Sequence, residues 1–520
     1  MAWELLLPAA AVPARSRGKA LQAALREAVR SGRLAPGTRL PSSRALSADL
    51  GVSRGLVTEA YEQLTAEGYL RAGRGAGTWV GGAVAVTEAG TVTGAEAVAG
   101  QAGAVAGRTA VPGAGAAAGA ARDTSGVSAT APIEAEGDGV RPRPPGQPPE
   151  TRLSLLPGVP DLSLFPRTTW SAAQRAVLAE VPHTALGYPD PRGLPRLRTA
   201  VAQMLARRRG VVADPGRVVI CSGVSQAMTL LGLVLYARGE RTVAAEGPGS
   251  PEHAELFGHS GMRTVRVLLD GEGPEVARLR EHEVRTFIAT PSHQFPSGIA
   301  YSPGRRARLL DWVRSVDGLV IEDDYDGDFR FDRAPVGALQ GLDPDRVAYT
   351  GSVSKSLAPG MRLGWLVVPE DLADAVVARK RLMDLGNPAL DQEALARFIE
   401  RGDYDRHLRR CLRTYRERRN ALTAALAEHL PGTAVTGIAA GLHIIAALPP
   451  GGPAGPELVE RAAAAGLAVR LLDAYGPVQQ ANGRMHPADG RVRLVIGYAH
   501  LTPYRIDEAA GLLARVARGR

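Results

Sequence analysis

Seventy residues in the N-terminal third of the chain cannot form a folded core. Residues 81–150 contain 19 Ala, 14 Gly and 7 Pro but no Leu, Met, Phe, Trp or Tyr. This composition buries too little apolar surface to offset the loss of chain entropy on folding. The stretch ends in RPRPPGQPP at 141–149, which is typical of extended polyproline backbone. We therefore predict a long disordered linker over 81–150, between folded units at 1–80 and 151–520.

The composition of the 520-residue chain narrows the class of protein. At 45% hydrophobic and 22% charged residues it is typical of a soluble globular protein. No apolar run approaches the roughly 20 residues of a membrane span, and Arg15 and Arg17 follow the apolar residues 5–7, the reverse of a signal peptide. Cys221 and Cys411 are too few for a disulfide framework and lack metal-ligand spacing. We expect a cytoplasmic protein with no metal site.

The N-terminal unit is short, helical and basic. Residues 14–80 carry 11 Lys and Arg against 5 Asp and Glu, which is +6 of the net +9. Apolar spacing predicts a helix over 19–30, a second helix capped by Ser42 or Ser43, and a third from Ser53 to Glu67, ended by Gly68. Strands at 69–70 and 78–80 flank a Gly-rich tip. This order predicts a winged helix-turn-helix with an anionic polymer as its partner.

The second helix of such a pair enters the DNA major groove with its N-terminal residues leading. Arg54 suits the O6 and N7 atoms of guanine, and Ser53 at the helix start suits a phosphate. Glycines let the backbone of the wing approach a phosphate or the minor groove. The residues expected to contact double-stranded DNA are Arg44, Ser53, Arg54, Thr58, Arg74, Gly75 and Gly77.

The same residues carry a family resemblance. The segments LPSSRALSADLGVSR at 40–54, AYEQL at 60–64, EGYL at 67–70 and GAGTWV at 75–80 resemble the GntR-type winged helix. The resemblance implies a DNA-binding domain over residues 1–80. The alternative is a basic helical bundle that binds another protein.

The C-terminal unit alternates β-rich and helical segments. We predict strands at 217–222, 241–245, 264–268, 286–289, 318–321 and 346–350, and helices that include 225–236 and 303–315. This alternation predicts an α/β fold, a parallel sheet with helices on both faces. A charged helical region near 379–430 and a final α+β portion follow.

Lysine is scarce, and this limits where amine chemistry can occur. Only Lys19, Lys355 and Lys380 are lysines among 62 basic residues. Lys19 and Lys380 lie on charged predicted helices, where surface positions are expected. Lys355 lies in GSVSKSLAPGMRLG at 351–364, which adds the hydroxyl of Ser352 and the guanidinium of Arg362. A reactive amine beside an anion site favours pyridoxal 5'-phosphate (PLP), with lysine for the Schiff base and arginine for the phosphate.

Two further segments fit the same cofactor. VIEDDY at 320–325 places acids at the carboxyl end of a predicted strand, where open α/β sheets bind ligands, and a carboxylate there can keep the pyridine nitrogen protonated. CSGVSQ at 221–226 opens a helix whose backbone N–H groups can cradle a phosphate.

The order of these segments resembles that in the fold-type I aminotransferases. Two segments narrow the resemblance further: TPSHQFPSG at 290–298 and EDDYD at 322–326. With the winged helix in front, the chain apart from its linker resembles the MocR subfamily of GntR regulators. The resemblance implies that Lys355 is the Schiff-base lysine, Asp323 faces the pyridine nitrogen and Tyr325 faces the ring hydroxyl. It also implies a phosphate site and a homodimer, in which one residue reaches the neighbouring subunit's phosphate. The phosphate residues are Ser352, Arg362, Gly223, Val224 and Ser225, and the residue that crosses the interface is Tyr188.

Three positions leave alternatives open. His293 and Gln294 are both expected near the oxygen side of the ring, and either one can touch it. Ser250 stands where the family has a stacking aromatic, so either His253 compensates or cofactor affinity is reduced.

The third open position concerns the effector. Arg491 and Arg493 are candidates to bind an effector carboxylate, although counting back from GYA at 497–499 places Val495 there instead. With Val495 at that position, the effector is not expected to be an ordinary amino acid. For a regulator that senses through Lys355, the candidates are an amine, an amino acid or PLP itself.

The sequence thus predicts a PLP-dependent transcription regulator that senses its effector through Lys355. One alternative is a genuine aminotransferase with a DNA-binding extension. Another is a DNA-binding protein whose C-terminal fold has lost the cofactor and only dimerises.

Overall fold

The computed structural model describes residues 12–13, 16–73, 77–81, 152–331, 336–476 and 489–519. The predicted linker lies outside the described residues, apart from residue 81. The same holds for Arg74 and Gly75 at the tip of the predicted wing.

The N-terminal unit is a winged helix, as predicted. Its strands pair antiparallel in the order β1-β3-β2. The Ser42 hydroxyl accepts the backbone N–H of Ala45 at 3.1 Å, and the Ser53 hydroxyl accepts that of Leu56 at 3.3 Å, so each serine caps a helix. Gly68 ends the third helix with φ +91°, a left-handed conformation that favours glycine. The elements are α1 (Arg17–Arg30), β1 (Arg39–Leu40), α2 (Ser43–Leu50), α3 (Arg54–Glu67), β2 (Leu70–Gly73) and β3 (Gly77–Val80).

The second unit, residues 152–519 where described, is called here the large domain. Its helices and strands alternate along the first half of the domain, and its last third is mainly helical with a small sheet. In chain order, these elements are β4 (Leu153–Ser154), α4 (Arg167–Glu180), α5 (Pro195–Arg209), β5 (Val218–Cys221), α6 (Val224–Ala237), β6 (Thr242–Gly247), α7 (Pro251–His259), β7 (Arg263–Asp270), β8 (Gly273–Pro274), α8 (Val276–Glu281), β9 (Thr286–Ala289), α9 (Pro303–Ser315), β10 (Leu319–Asp323), β11 (Val347–Ser352), β12 (Gly364–Val367), α10 (Glu370–Asp384), α11 (Ala389–Glu400), α12 (Asp403–His429), β13 (Ala434–Thr436), β14 (His443–Ala447), α13 (Gly455–Ala464), β15 (Leu467–Ala468), β16 (Arg493–Gly497) and α14 (Pro503–Ala517).

The main sheet of the large domain has the strand order β5-β12-β11-β10-β9-β6-β7-β8. Strands β11, β10, β9, β6 and β7 pair in parallel, and their buried faces confirm the predicted α/β fold. The sequence did not predict β12, which runs antiparallel to both β11 and β5. The chain returns into the sheet through the short segment 353–363, and only antiparallel neighbours can be joined so briefly.

This return aligns three strand ends at one edge of the sheet. Gly364, the first residue of β12, lies opposite Cys221 at the end of β5 and opposite Ser352 at the end of β11. Asp323 ends β10, which is the next strand in the sheet. The predicted site segments therefore meet at the carboxyl edge, although they are separated by more than one hundred residues of chain.

The remaining elements complete the large domain. A second antiparallel sheet has the order β13-β14-β16, and α12 packs on α14 beside it. Among the residues described, no helix is both long and apolar enough to span a bilayer.

Candidate functional site

The start of α6 and Arg362 form a cradle of anion-binding shape. Gly223 has φ +85°, and a Cβ added there would lie 2.9 Å from both terminal nitrogens of Arg362, so the close approach requires glycine. Arg362 also donates to the carbonyl oxygen of Ser222. Val224 and Ser225 form the first turn of α6, whose N-terminus favours an anion. Ser352 is half-buried at the adjacent strand end.

The amine of Lys355 lies in the same region of the fold. Its Nζ donates to the carbonyl oxygen of Gly158 at 2.5 Å. Burial lowers the pKa of Lys355 below the ordinary 10.5, and the carboxylates of Glu252, Asp326 and Asp323 oppose this shift. A lysine with a lowered pKa is more often neutral near pH 7, and the neutral amine is the nucleophile.

Asp323 is the predicted partner of the pyridine nitrogen, and two side chains orient its carboxylate. Nε2 of His253, on α7, lies 3.0 Å from Oδ2 of Asp323. The Thr350 hydroxyl donates to Oδ1 at 3.3 Å. Both Asp323 and His253 are buried, so these bonds are shielded from water.

Tyr325, the predicted partner of the ring hydroxyl, lies beside His293. Its hydroxyl is 3.1 Å from Nδ1 of His293, and the same nitrogen lies 2.9 Å from Oδ2 of Asp326. Gln294 is turned elsewhere, because its amide donates to the Glu246 carboxylate at 3.1 Å. Of the two residues expected near the oxygen side of the ring, His293 is therefore the one that contacts Tyr325.

A second histidine, which the sequence analysis did not select, packs on His293. The ring centroids of His443 and His293 are 5.1 Å apart, and burial lowers the pKa of His443 to about 4. With Asp326, these rings bring potential metal-ligating atoms within 4.8 Å of one another. Because Nδ1 of His293 already bonds Oδ2 of Asp326 and lies beside the Tyr325 hydroxyl, we assign the group to the orientation of Tyr325.

Arg491 and Arg493, the candidates for a carboxylate site, both lie beside Asp489. Arg493 Nη2 is 2.9 Å from Oδ2 of Asp489, and Arg491 Nε is 4.0 Å from the same atom. Val495 is fully buried in an apolar cluster against which Phe295 packs. The Phe295 ring in turn makes an edge contact with Tyr325, with centroids 5.9 Å apart.

Ser250 offers no ring surface to a cofactor. Its hydroxyl donates to Glu252 at 2.9 Å.

The expected surface position of Lys380 is wrong. The side chain is fully buried, with Nζ 2.6 Å from Oδ2 of Asp384 and 3.4 Å from Oε1 of Gln226. The same Gln226 oxygen accepts the backbone N–H of Ser222 at 2.8 Å. Its ion pair allows this charge to be buried, and the network braces the cradle beside Gly223.

Those predicted DNA-contacting residues that the structure describes are accessible to solvent. Arg44, Ser53 and Arg54 are exposed, Thr58 is half-buried, and Arg54 Nε lies 3.4 Å from the Ser43 hydroxyl. Gly77 begins β3, and Arg74 and Gly75 lie outside the described residues.

The region as a whole fits PLP. A half-buried amine, an oriented carboxylate, and a guanidinium over a glycine at a helix N-terminus meet at one sheet edge. Tyr188, by contrast, lies 89% exposed and contacts none of these groups within the chain.

Comparison with protein-family models matches both units. Residues 159–513 match the aminotransferase class I and II family, and residues 18–80 match the bacterial regulatory proteins of the gntR family. The chain is 30% identical over 421 residues to the HTH-type pyridoxine biosynthesis transcriptional regulator PdxR of Corynebacterium glutamicum, a match that covers 81% of each chain. It is 31% identical over 409 residues to the probable rhizopine catabolism regulatory protein MocR of Rhizobium meliloti, covering 78% of this chain and 76% of that one.

The chain belongs to the MocR-type GntR regulators. Its large domain is also similar to the α-aminoadipate aminotransferase LysN of Thermus thermophilus, solved with N-(5'-phosphopyridoxyl)-L-leucine. The TM-score is 0.61 at 29% identity, over 71% of this regulator and 92% of that chain. Family and fold confirm the prediction of a DNA-binding winged helix joined to a fold-type I domain of the PLP-binding class. The cofactor of the regulator is accordingly PLP.

Proposed function

We propose that PLP, or an amine or amino acid that reacts with it, sets the affinity of this regulator for double-stranded DNA. Lys355 carries the proposal, because its half-buried amine of lowered pKa lies in a chain that also exposes the recognition residues Ser53 and Arg54. PLP held there supplies an aldehyde for amines and an electron-withdrawing ring. A protein of this family acts on chromosomal DNA, so we propose that it works in the cytoplasm.

Each site residue has a role in this proposal. Arg362, Ser352 and the start of α6 bind the phosphate. Asp323, oriented by His253, holds a proton on the ring nitrogen, and Tyr325, oriented by His293, donates to the ring oxygen. Lys355 would supply the neutral amine that condenses with the aldehyde, with loss of water, and would so hold the cofactor in place.

The working form in this proposal is a homodimer. Tyr188 is 89% exposed, and apolar side chains near it are also exposed, including Leu186 at 59% and Leu385 at 50%. Apolar patches of this kind mark interaction sites. In the dimer, the second copy covers these apolar side chains. Tyr188 of each copy then reaches the phosphate site of the other copy.

The effector side of the site favours PLP over an α-amino acid. Arg491 and Arg493 are engaged by Asp489, and the buried Val495 stands in an apolar cluster. Burying an α-carboxylate against this apolar wall costs free energy, and the guanidinium groups of Arg491 and Arg493, engaged by Asp489, do not offset that cost. The similarity to a regulator of pyridoxine biosynthesis supports the same choice.

The test is a DNA titration at fixed salt, using the regulator's own upstream region, with and without PLP. We expect PLP to change the affinity, and Lys355→Ala to abolish both this change and the visible absorbance of the bound cofactor. Lys19→Ala, at an exposed lysine far from the site, is the matched control and keeps the absorbance. Wild-type protein without PLP absorbance, or with absorbance but unchanged DNA affinity, contradicts the proposal. Steady transamination between an amino donor and a keto acid favours the enzyme alternative.

A further inference from the structure

Residues 336–342 of the large domain form a contact with the winged helix, and we call them the docking segment. The Tyr69 hydroxyl donates to the carbonyl oxygen of Gly341 at 3.0 Å. The guanidinium of Arg30, on α1, donates to the Tyr69 oxygen at 2.6 Å and to the carbonyl of Gly210 in the large domain. A Cβ added at Gly68 would lie 3.4 Å from the Leu342 side chain, so the backbones approach closely. The bond from Tyr69 to Gly341 is buried, and those from Arg30 are partly buried.

The other side of the docking segment is bound to the strand that carries Asp323. The carboxylate of Glu322 accepts the backbone N–H groups of Leu339 and Gln340, each at 2.9 Å. Successive residues of a strand point to opposite faces of a sheet. Asp323 therefore faces the cofactor site while Glu322, the preceding residue, holds the docking segment.

Arg306 extends this connection to the recognition helix α3. It is fully buried on α9, and its Nη2 donates to the carbonyl of Gly337 at 2.6 Å. Burial lowers the pKa of Arg306, while attraction to Glu322 and to Glu67, the last residue of α3, opposes the shift. Glu67 also accepts two hydrogen bonds of 2.7 Å from Arg26 on α1. Opposite charges thus alternate from the cofactor strand into the winged helix.

The docked face of α3 is far from its DNA-reading end. The helix has 14 residues, and at about 1.5 Å per residue Arg54 and Glu67 are roughly 20 Å apart. Arg54 stays exposed while Glu67 is buried. Docking therefore leaves the recognition residues free and fixes the direction in which they point.

We propose that the docking segment, with Glu322 and Arg306, is the surface through which the cofactor site controls the orientation of the winged helix. A change at Asp323 moves Glu322, which alters the hydrogen bonds that position Leu339 to Gly341. This inference rests on the proposed function, since it requires that both PLP and DNA bind. Coupling between two sites is reciprocal, so a change at the docked face must also alter PLP affinity without DNA present.

The test uses two conservative variants with matched controls. Tyr69→Phe removes only the hydroxyl that bonds Gly341, and its control is Tyr61→Phe, whose hydroxyl bonds Pro41 within the winged helix at 3.0 Å. Glu67→Gln removes the charge that faces Arg306, and its control is Glu62→Gln, exposed on the same helix.

Three quantities are measured on the full chain: hydrogen exchange of the docking segment, the PLP dissociation constant without DNA, and the ratio of DNA affinities with and without PLP. We expect both variants to speed exchange in the docking segment, shift the PLP constant several-fold, and bring the DNA ratio within about twofold of one. The controls keep wild-type values. Unchanged exchange and PLP affinity in both variants overturn the docking surface, whereas wild-type protein that binds no PLP or no DNA overturns the proposed function instead.

Discussion

Nε2 of His253 lies 3.0 Å from Oδ2 of Asp323, and this bond joins α7 to the end of β10 inside the buried site. The carboxylate that we propose faces the ring nitrogen is thereby fixed by a side chain 70 residues away. Its orientation is set before any cofactor arrives, which reduces the loss of freedom on binding.

His253→Asn is expected to weaken PLP binding. A hydrogen bond to a charged group contributes about 1.5–3 kcal/mol, which corresponds to a roughly tenfold or larger rise in Kd. Absorbance titration with PLP measures it. His259→Asn, exposed at the end of the same helix, is the control and keeps the wild-type Kd. Equal values for both variants contradict the positioning role.

Arg362→Gln is expected to reduce affinity for the phosphate group specifically. A guanidinium–phosphate contact is a strong, charge-assisted one, so the Kd for PLP rises by about ten- to a hundredfold while that for pyridoxal stays nearly the same. Parallel titrations with the two vitamers give the ratio. Arg381→Gln, at an exposed arginine of α10, leaves it unchanged. Equal losses for both vitamers place Arg362 outside the phosphate site.

Arg54→Ala is expected to weaken binding to the regulator's own operator by about 1–3 kcal/mol, because it removes a contact with base edges. Binding to unrelated DNA of the same length falls less. Fluorescence anisotropy at matched salt measures both. Arg33→Ala is the control, since this exposed arginine follows α1 and bonds the Ser31 hydroxyl at 3.0 Å. A uniform loss on all DNA assigns Arg54 to the phosphate backbone instead.

His443 is expected to make stability depend on pH. Its pKa falls from 6.5 to about 4 on burial, so between these values the unfolded chain binds a proton that the folded chain does not. The free energy of unfolding therefore rises with pH in this window, by up to about 1.4 kcal/mol per pH unit.

Urea unfolding of wild type and His443→Gln from pH 4 to 7 isolates this effect. The comparison is needed because burial raises the pKa of Glu322 to about 7, and a proton retained by the folded state acts in the opposite direction. The variant shows the smaller rise with pH, while His183→Gln, at an exposed histidine, matches wild type. Parallel curves for His443→Gln and wild type contradict the assignment.

Elements with local signals were predicted well from the sequence. Strand β9 and helix α9 have the predicted bounds, and the Ser53 cap and Gly68 stop of α3 act as expected. These features depend on side chains within a few residues of the backbone groups that they satisfy. The short motif around Lys355 is local in the same sense, and its anion-binding role stays a prediction.

Features that depend on distant residues were not predictable. Lys380 lies between Arg379 and Arg381, which is typical of a solvated face, and only its packing beside Gln226 shows why it is buried. The direction of β12 follows from its neighbours in the sheet and not from its four apolar residues. The contact of Tyr69 with Gly341 joins residues 272 positions apart, and the EGYL motif around Tyr69 does not indicate this partner.

The hydrogen bond from Tyr69 to Gly341 also limits how such proteins can be recombined. A chimera that joins this winged helix to a foreign sensor domain keeps Arg54 and therefore still recognises the operator. In such a chimera, Tyr69 and Glu67 lose the docking segment against which they lie. The chimera is expected to bind DNA but to ignore the ligand of its new partner. We therefore expect a chimera to transmit the signal only when the docking segment and the winged-helix surface that contacts it are transferred together.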